Sequence, residues 1–173
     1  YELFEYERVM QEIVPKMINL CKLAKQNNIS LFIDAEKMDR VEISLEIIKE
    51  LLSHKDLSGW DGLGFVVQTY GKRASFIIDE LNDICTKNNR KIMVRLVKGA
   101  YWDTEIKIAQ QERLHYPVFT RKEFTEVSYL ACARKLMVPK YIIPAYATHN
   151  PFTVAPIFFY NETSGGEYKF HTL

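Results

Sequence analysis

Arg95 stands in the run Ile92-Met93-Val94-Arg95-Leu96-Val97, where every other residue is apolar. A guanidinium held in such a stretch needs a partner, because removing a charge from water uncompensated is costly. Two partners fit: a carboxylate on a neighbouring strand, Asp34 or Glu36, or a bound, strongly accepting group. Other apolar runs also end in polar groups. Asp34 and Glu36 follow Leu31-Phe32-Ile33, Gln68 closes Leu63-Gly64-Phe65-Val66-Val67, Lys98 follows Val97, and Thr148, His149 and Asn150 follow Ala145-Tyr146-Ala147. Gln68 can donate and accept through one amide. Asp34 suits a solvated strand end, a helix cap or an active-site carboxylate about equally; Glu36 reads as a surface or supporting group. Val97-Lys98-Gly99-Ala100-Tyr101-Trp102 joins a small-residue turn, which lets a ligand approach the backbone, to two aromatic faces that could equally be core. Thr120, Arg121 and Lys122 precede a helical pattern whose first turn suits a pyrophosphate, or is simply a solvated helix start.

These residues need elements to carry them. Leu3, Tyr6, Met10, Ile13, Met17, Leu20 and Ala24 recur at steps of three and four, which predicts an amphipathic helix that Pro15 should kink or divide. Residues 30–34 read as a strand covered on both faces. Val41, Leu45, Ile48 and Leu52 mark a second helix, Leu63 to Gln68 a second strand, and Phe76, Ile77, Leu81 and Ile84 a third helix. Residues 91–97 form a third strand, Phe124, Val127, Ala131 and Arg134 part of a later helix, residues 145–149 a fourth strand, and a fifth starts at Tyr168. Strands alternating with helices argue for right-handed crossovers and a parallel α/β sheet. The seven glycines form no GxGxxG turn, and polar groups gather at successive strand ends. The reading is therefore a partial (βα)8 TIM barrel of about five parallel strands with intervening helices, not a doubly wound sheet.

The chain has 173 residues, 47% hydrophobic and 26% charged, with a net charge of +1, which gives no broad basic field for nucleic acid or an anionic membrane. Cys21, Cys85 and Cys132 are far apart in apolar surroundings, which suits a reducing cytoplasm and neither a disulfide framework nor a metal site. The first residue is Tyr1 and the last strand is barely begun at Leu173, so the expectation is one domain portion, 1–173, cut at both ends.

Five motifs occur in one order: Ile33-Asp34-Ala35-Glu36 with Asp39-Arg40 and Glu42 to Leu45; Gly64 to Tyr70; Arg95 to Trp102; Tyr116-Pro117-Val118-Phe119-Thr120-Arg121-Lys122; and Ala147-Thr148-His149-Asn150. Together they resemble the proline dehydrogenase domain of bacterial proline utilization A. The resemblance implies an FAD-binding barrel that oxidises L-proline to 1-pyrroline-5-carboxylate and passes electrons to a membrane quinone. It implies a cytoplasmic protein, peripheral to the inner membrane only at full length. On that likeness Arg95 lies beside the flavin N5 and Gln68 donates to the flavin's pyrimidine edge. Asp34 belongs to the site, helping to organise the groups that hold the substrate carboxylate. Val97, Lys98 and Gly99 line the flavin, Ala100 and Tyr101 border the substrate ring, and Trp102 lies along the dinucleotide part. Thr120, Lys122, Thr148, His149 and Asn150 contact FAD.

The same likeness places a catalytic lysine upstream of this chain's first helix and paired carboxylate-binding arginines, with a glutamate, in the barrel's last helix. Neither is in these residues, so the chain by itself is expected to be inactive. The other readings are a noncatalytic remnant or interaction module of the same fold, and a metal-dependent barrel hydrolase using Asp34, Glu36 and His149. His54, His115 and His171 lack the spacing that the hydrolase reading needs.

Overall fold

In the computed structural model, which describes residues 5–164 and 169–171, helix α1 (Tyr6–Gln26) precedes a regular alternation. Strand β1 (Leu31–Ile33) is followed by α2 (Val41–Ser53), β2 (Leu63–Gln68), α3 (Ala74–Asn88) and β3 (Ile92–Val97). Then come α4 (Trp102–Gln111), α5 (Lys122–Leu136), β4 (Ile142–Ala147), α6 (Pro151–Ser164) and β5 (Lys169–His171). Each strand pairs in parallel with its predecessor, so the spatial order is β1-β2-β3-β4-β5. A doubly wound sheet reverses direction at a switch point; an order that only advances is that of a barrel wall.

The strands' alternation divides core from site. Leu63, Phe65 and Val67, then Ile92, Val94 and Leu96, then Ile142 and Tyr146 join one apolar core with the helices. The opposite set faces the barrel interior. In register, Phe32 lies beside Gly64 and Gly64 beside Met93, while Val66 lies beside Arg95 and Arg95 beside Ala145. A side chain at Gly64 would place its Cβ 2.4 Å from the Phe32 ring, so this glycine makes room for that ring in the interior layer. At the opposite end of β3, the buried Arg90 donates to the carbonyls of Leu52 (3.2 Å) and Trp60 (3.1 Å), tying the turn before β2 to the sheet's amino end.

Several expectations are corrected in detail. Pro15 neither ends nor divides α1, which is one helix across it. Its buried residues are Val14, Cys21 and Ala24, with Met10 and Met17 packed alongside, whereas Ile13 and Leu20 are exposed; Leu3 lies outside the described residues. In α5 the expected apolar face, Phe124 and Val127, looks to solvent, and the core is met by Thr125, Tyr129, Cys132, Ala133 and Leu136. Phe76 of α3 is also exposed. Strand β1 is shorter than expected and only half-buried, as an edge strand of the described sheet should be. Strand β4 starts earlier, at Ile142, and ends at Ala147, leaving Thr148 and His149 in the loop before α6. Strand β5 falls within the expected fifth strand, of which Tyr168 is outside the described residues.

Candidate functional site

The carboxyl ends of β2 and β3 continue as hydrogen-bonded backbone beyond the strands themselves. Thr69 N–H donates to the Val97 carbonyl (2.9 Å) and Tyr70 N–H to the Lys98 carbonyl (2.8 Å). Phe119 N–H then donates to the Tyr70 carbonyl (2.8 Å), and the Trp102 indole donates to the Phe119 carbonyl (2.7 Å). Three loops are thereby laced into one rim. Gly99 sits at φ +137°, and a Cβ there would lie 2.5 Å from the Tyr70 ring. The small residue that the sequence offered as a ligand approach is thus required first by the packing of Tyr70.

Gln68 braces this rim from below. Its amide Nε2 donates to the Glu36 carbonyl (2.7 Å), and its Oε1 accepts from Ala100 N–H (3.1 Å), so one buried side chain joins the loop after β1 to the turn after β3. Glu36 enters the site through its backbone. Arg95 makes the ion pair that its sequence context allowed: one terminal nitrogen lies 3.1 Å from Asp34 Oδ1, and the guanidinium is 5.0 Å above the Phe32 ring. The carboxylate of that pair is 76% exposed against 20% for the arginine, so water screens it on the acidic side. Asp34 is therefore a strand-end carboxylate on the interior and not a helix cap; it also accepts from Ala35 N–H (3.0 Å). Arg95 Nε is buried and meets no acceptor among the described residues.

Two adjoining clefts receive all fourteen residues that the resemblance assigned to the site, while Glu36 and Arg121 line neither. The first, about 500 Å³, is lined by Asp34, Gln68, Arg95, Val97, Lys98, Gly99, Ala100, Tyr101, Thr148, His149 and Asn150, together with Ala35, Val66 and Ala147. The second, about 480 Å³, is lined by Trp102, Thr120 and Lys122 with Tyr70, Thr125 and Glu126, and shares Lys98 and Gly99 with the first. Helix α5 opens onto the second cleft. Its cap residue Arg121 makes no side-chain hydrogen bond to the first turn, which leaves the positive end of the helix available to an anion.

Three contributors escaped the sequence reading. Glu126 on α5 takes the Lys98 ammonium at 2.5 Å and lies 3.5 Å from the Thr153 hydroxyl. Tyr70 is buried against the rim, and burial pushes its phenol up to about 12, helped by the nearby Glu105 carboxylate. Tyr129, one turn beyond Glu126, donates its buried hydroxyl to the Leu96 carbonyl (3.2 Å), and burial raises its phenol further still. Helix α4 was also unread, although Glu105 on it accepts from Met38 N–H (2.7 Å) and so anchors the β1–α2 loop.

The proline dehydrogenase family model matches residues 3–173. The chain belongs to the proline dehydrogenase family. The bifunctional protein PutA of Klebsiella aerogenes is 50% identical over 180 residues, covering 100% of this chain and 14% of that protein. The Rhizobium meliloti protein of the same name is 47% identical over 169 residues, covering 96% of this chain and 14% of its own length. Among solved structures, a mutant proline utilization A from Bradyrhizobium japonicum superposes with a TM-score of 0.93 at 47% identity, over 97% of this chain and 17% of that one. Proline utilization A from Bdellovibrio bacteriovorus, inactivated by N-propargylglycine, gives 0.93 at 27% identity, over 97% of this chain and 18% of that one. The chain thus spans 14% of the curated relatives' length.

Proposed function

We propose that residues 1–173 are the central portion of a proline dehydrogenase barrel domain that holds FAD across the two clefts and oxidises L-proline to 1-pyrroline-5-carboxylate. The observation that carries this reading is the convergence of all fourteen expected residues on two adjoining clefts at the strands' carboxyl ends. The residues fit the cofactor chemically. Arg95 lines the interior cleft, its buried Nε without an acceptor among the described residues, and the second cleft combines an indole face, the Thr120 hydroxyl, the Lys122 ammonium and an open helix start. When bound, FAD supplies the two-electron acceptor that the carbon–nitrogen bond of proline requires.

The chain's own residues would bind and orient. Arg95 would place positive charge beside the electron-accepting edge, with Asp34 and the Phe32 ring fixing its direction. Ala100 and Tyr101 would border the substrate ring, and the Gln68 brace holds that turn at a set distance from the sheet. Gln68 could also reach the flavin's pyrimidine edge with its remaining amide hydrogen. Val97, Lys98 and Gly99 would line the flavin, Trp102, Thr120 and Lys122 its dinucleotide part, and Thr148, His149 and Asn150 would close the far side.

The polypeptide of 173 residues would not turn over proline by itself. Of the cations lining the interior cleft, Arg95 is paired with Asp34 and Lys98 with Glu126, which leaves no free lysine or arginine among its described lining residues for the substrate carboxylate. A lysine upstream and paired arginines downstream would supply that clamp in the whole protein. Electrons would leave to a membrane quinone, with peripheral attachment to the inner membrane belonging to the full-length protein in the cytoplasm. Among the described residues no helix is long and apolar enough to cross a membrane. The absorbance spectrum of the purified protein tests the cofactor: flavin bands that survive gel filtration are expected, and their absence would favour a noncatalytic remnant.

A further inference from the structure

The second cleft contains a carboxylate that its proposed ligand would not welcome. A dinucleotide brings a doubly charged pyrophosphate, yet Glu126 lines the same cavity as Thr120 and Lys122. Two contacts hold it in place. One oxygen holds the Lys98 ammonium at 2.5 Å, both side chains being less than a third exposed, and the other oxygen lies 3.5 Å from the hydroxyl of the buried Thr153. Glu126 thereby connects three segments of the barrel rim: the end of β3, helix α5, and the first turn of α6. The next turn of α5 is fixed to β3 by the Tyr129 hydroxyl on the Leu96 carbonyl, so the helix cannot carry Glu126 away from Lys98 without losing a buried hydrogen bond.

Lys98 is the charged residue that both clefts share. Free, it would be a mobile ammonium on a four-carbon stem, able to follow any anion. Held by Glu126, it contributes a neutral pair at the junction. Lys122 has no ion-pair partner among the described residues and remains the cation open to a phosphate.

We propose that Glu126 is a positioning residue for the cofactor: it fixes Lys98 between the two clefts and sets the net charge there, leaving Lys122 and the start of α5 to receive the pyrophosphate. The proposal rests on the FAD reading above. Removing one member of the pair exposes the other's charge in a partly dry site, where it acts on the flavin with little screening. The two deletions must therefore act in opposite directions. Glu126→Gln leaves an extra positive charge, which favours the electron-rich reduced flavin and raises its reduction potential. Lys98→Met leaves an extra negative charge and lowers it.

The test is a redox titration of the flavin in the full-length flavin-loaded protein, comparing Glu126→Gln, Lys98→Met and the double variant. Opposite shifts in the single variants are expected, with the double variant returning to the wild-type potential. The flavin dissociation constants should show non-additivity of at least about two-fold, as coupled neighbours do. Glu126→Asp keeps the charge and should stay near wild type, which separates charge from shape if Glu126→Gln folds poorly. A purely structural pair would lower the melting temperature in both single variants without opposite potential shifts. Potentials that stay unchanged, or that move in the same direction, overturn the proposal. A wild-type protein that holds no flavin overturns the cofactor reading and this proposal with it.

Discussion

Replacing Gln68 by Met keeps the volume and removes both hydrogen bonds that join the loop after β1 to the turn after β3. Each such bond contributes a net of about 0.5–1.5 kcal/mol, and a buried partner left unpaired would add about 1–3 kcal/mol. The far partners decide which figure applies. Glu36 and Ala100 are both exposed, so water can take over at the carbonyl and at the N–H, and the added penalty is largely avoided. The expected cost is therefore about 1–3 kcal/mol in total, read as a lower urea midpoint at unchanged slope. Gln68→Glu should cost more at neutral pH, since it buries a carboxylate against the Glu36 carbonyl, and it should recover in mild acid as that carboxyl protonates. Flavin affinity should fall in both variants because the Gly99–Ala100 turn loses its anchor. A Gln68→Met protein within about 0.3 kcal/mol of wild type, with unchanged flavin affinity, would refute the bracing role, since surface changes alone stay inside about 0.5 kcal/mol.

Further expectations follow from single features. Gly99→Ala should destabilise by about 1–3 kcal/mol and disturb the cofactor spectrum, because it forces a side chain to φ +137° and into the Tyr70 ring; thermal melts and visible absorbance report both. Arg95→Met should weaken flavin binding or lower its potential, and more than Lys98→Met does; unchanged values would return Arg95 to a structural pair with Asp34. Burial holds the Cys21 thiol up at about 11, Cys85 up at about 12 and the Tyr70 phenol up at about 12, against ordinary values of 9.0 and 10.0. These groups stay protonated in the fold where the unfolded chain would release protons, so their stabilisation is complete below pH 9 and is lost as pH rises toward 12, which alkaline unfolding measures. The 173-residue polypeptide made alone should self-associate, because β1 is an edge strand of the described sheet and Leu20 and Leu23 on α1 and Phe152 and Phe159 on α6 are exposed; a monomeric, cooperative transition at micromolar concentration would contradict this.

The strands were legible because buried parallel strands read as continuous apolar runs closed by polar residues, as Leu63 to Gln68 does with all six residues buried. Helices α4 and α6 were not. Only Glu105 and Ala109 are buried on α4, which leaves no stripe for a period to reveal, and α6 is largely apolar as far as Tyr160, with Pro151 and Pro156 in it and no polar face to set a period. The face of α5 was misjudged because its apolar Phe124 and Val127 look outward while Thr125 and Tyr129 turn in, the tyrosine with its hydroxyl satisfied. The strand-end candidates stand out because their chemistry interrupts apolar sequence. Glu126 was hidden because a glutamate in a charged helix start is ordinarily solvated, and its partner Lys98 lies 28 residues away. Arg95 takes the first of its two sequence alternatives, the pair with Asp34, and lines the cleft in which the second, a bound group, would sit.

The most direct measurement replaces the matching segment of the Klebsiella aerogenes PutA protein, 50% identical to it, with these 173 residues and adds proline anaerobically while flavin absorbance is followed. The chimera should carry flavin and lose its absorbance on addition of proline, and Arg95→Met in the inserted segment should suppress that reduction. A folded chimera that holds no flavin, or whose flavin proline leaves oxidised, would contradict the assignment of these clefts to FAD and proline.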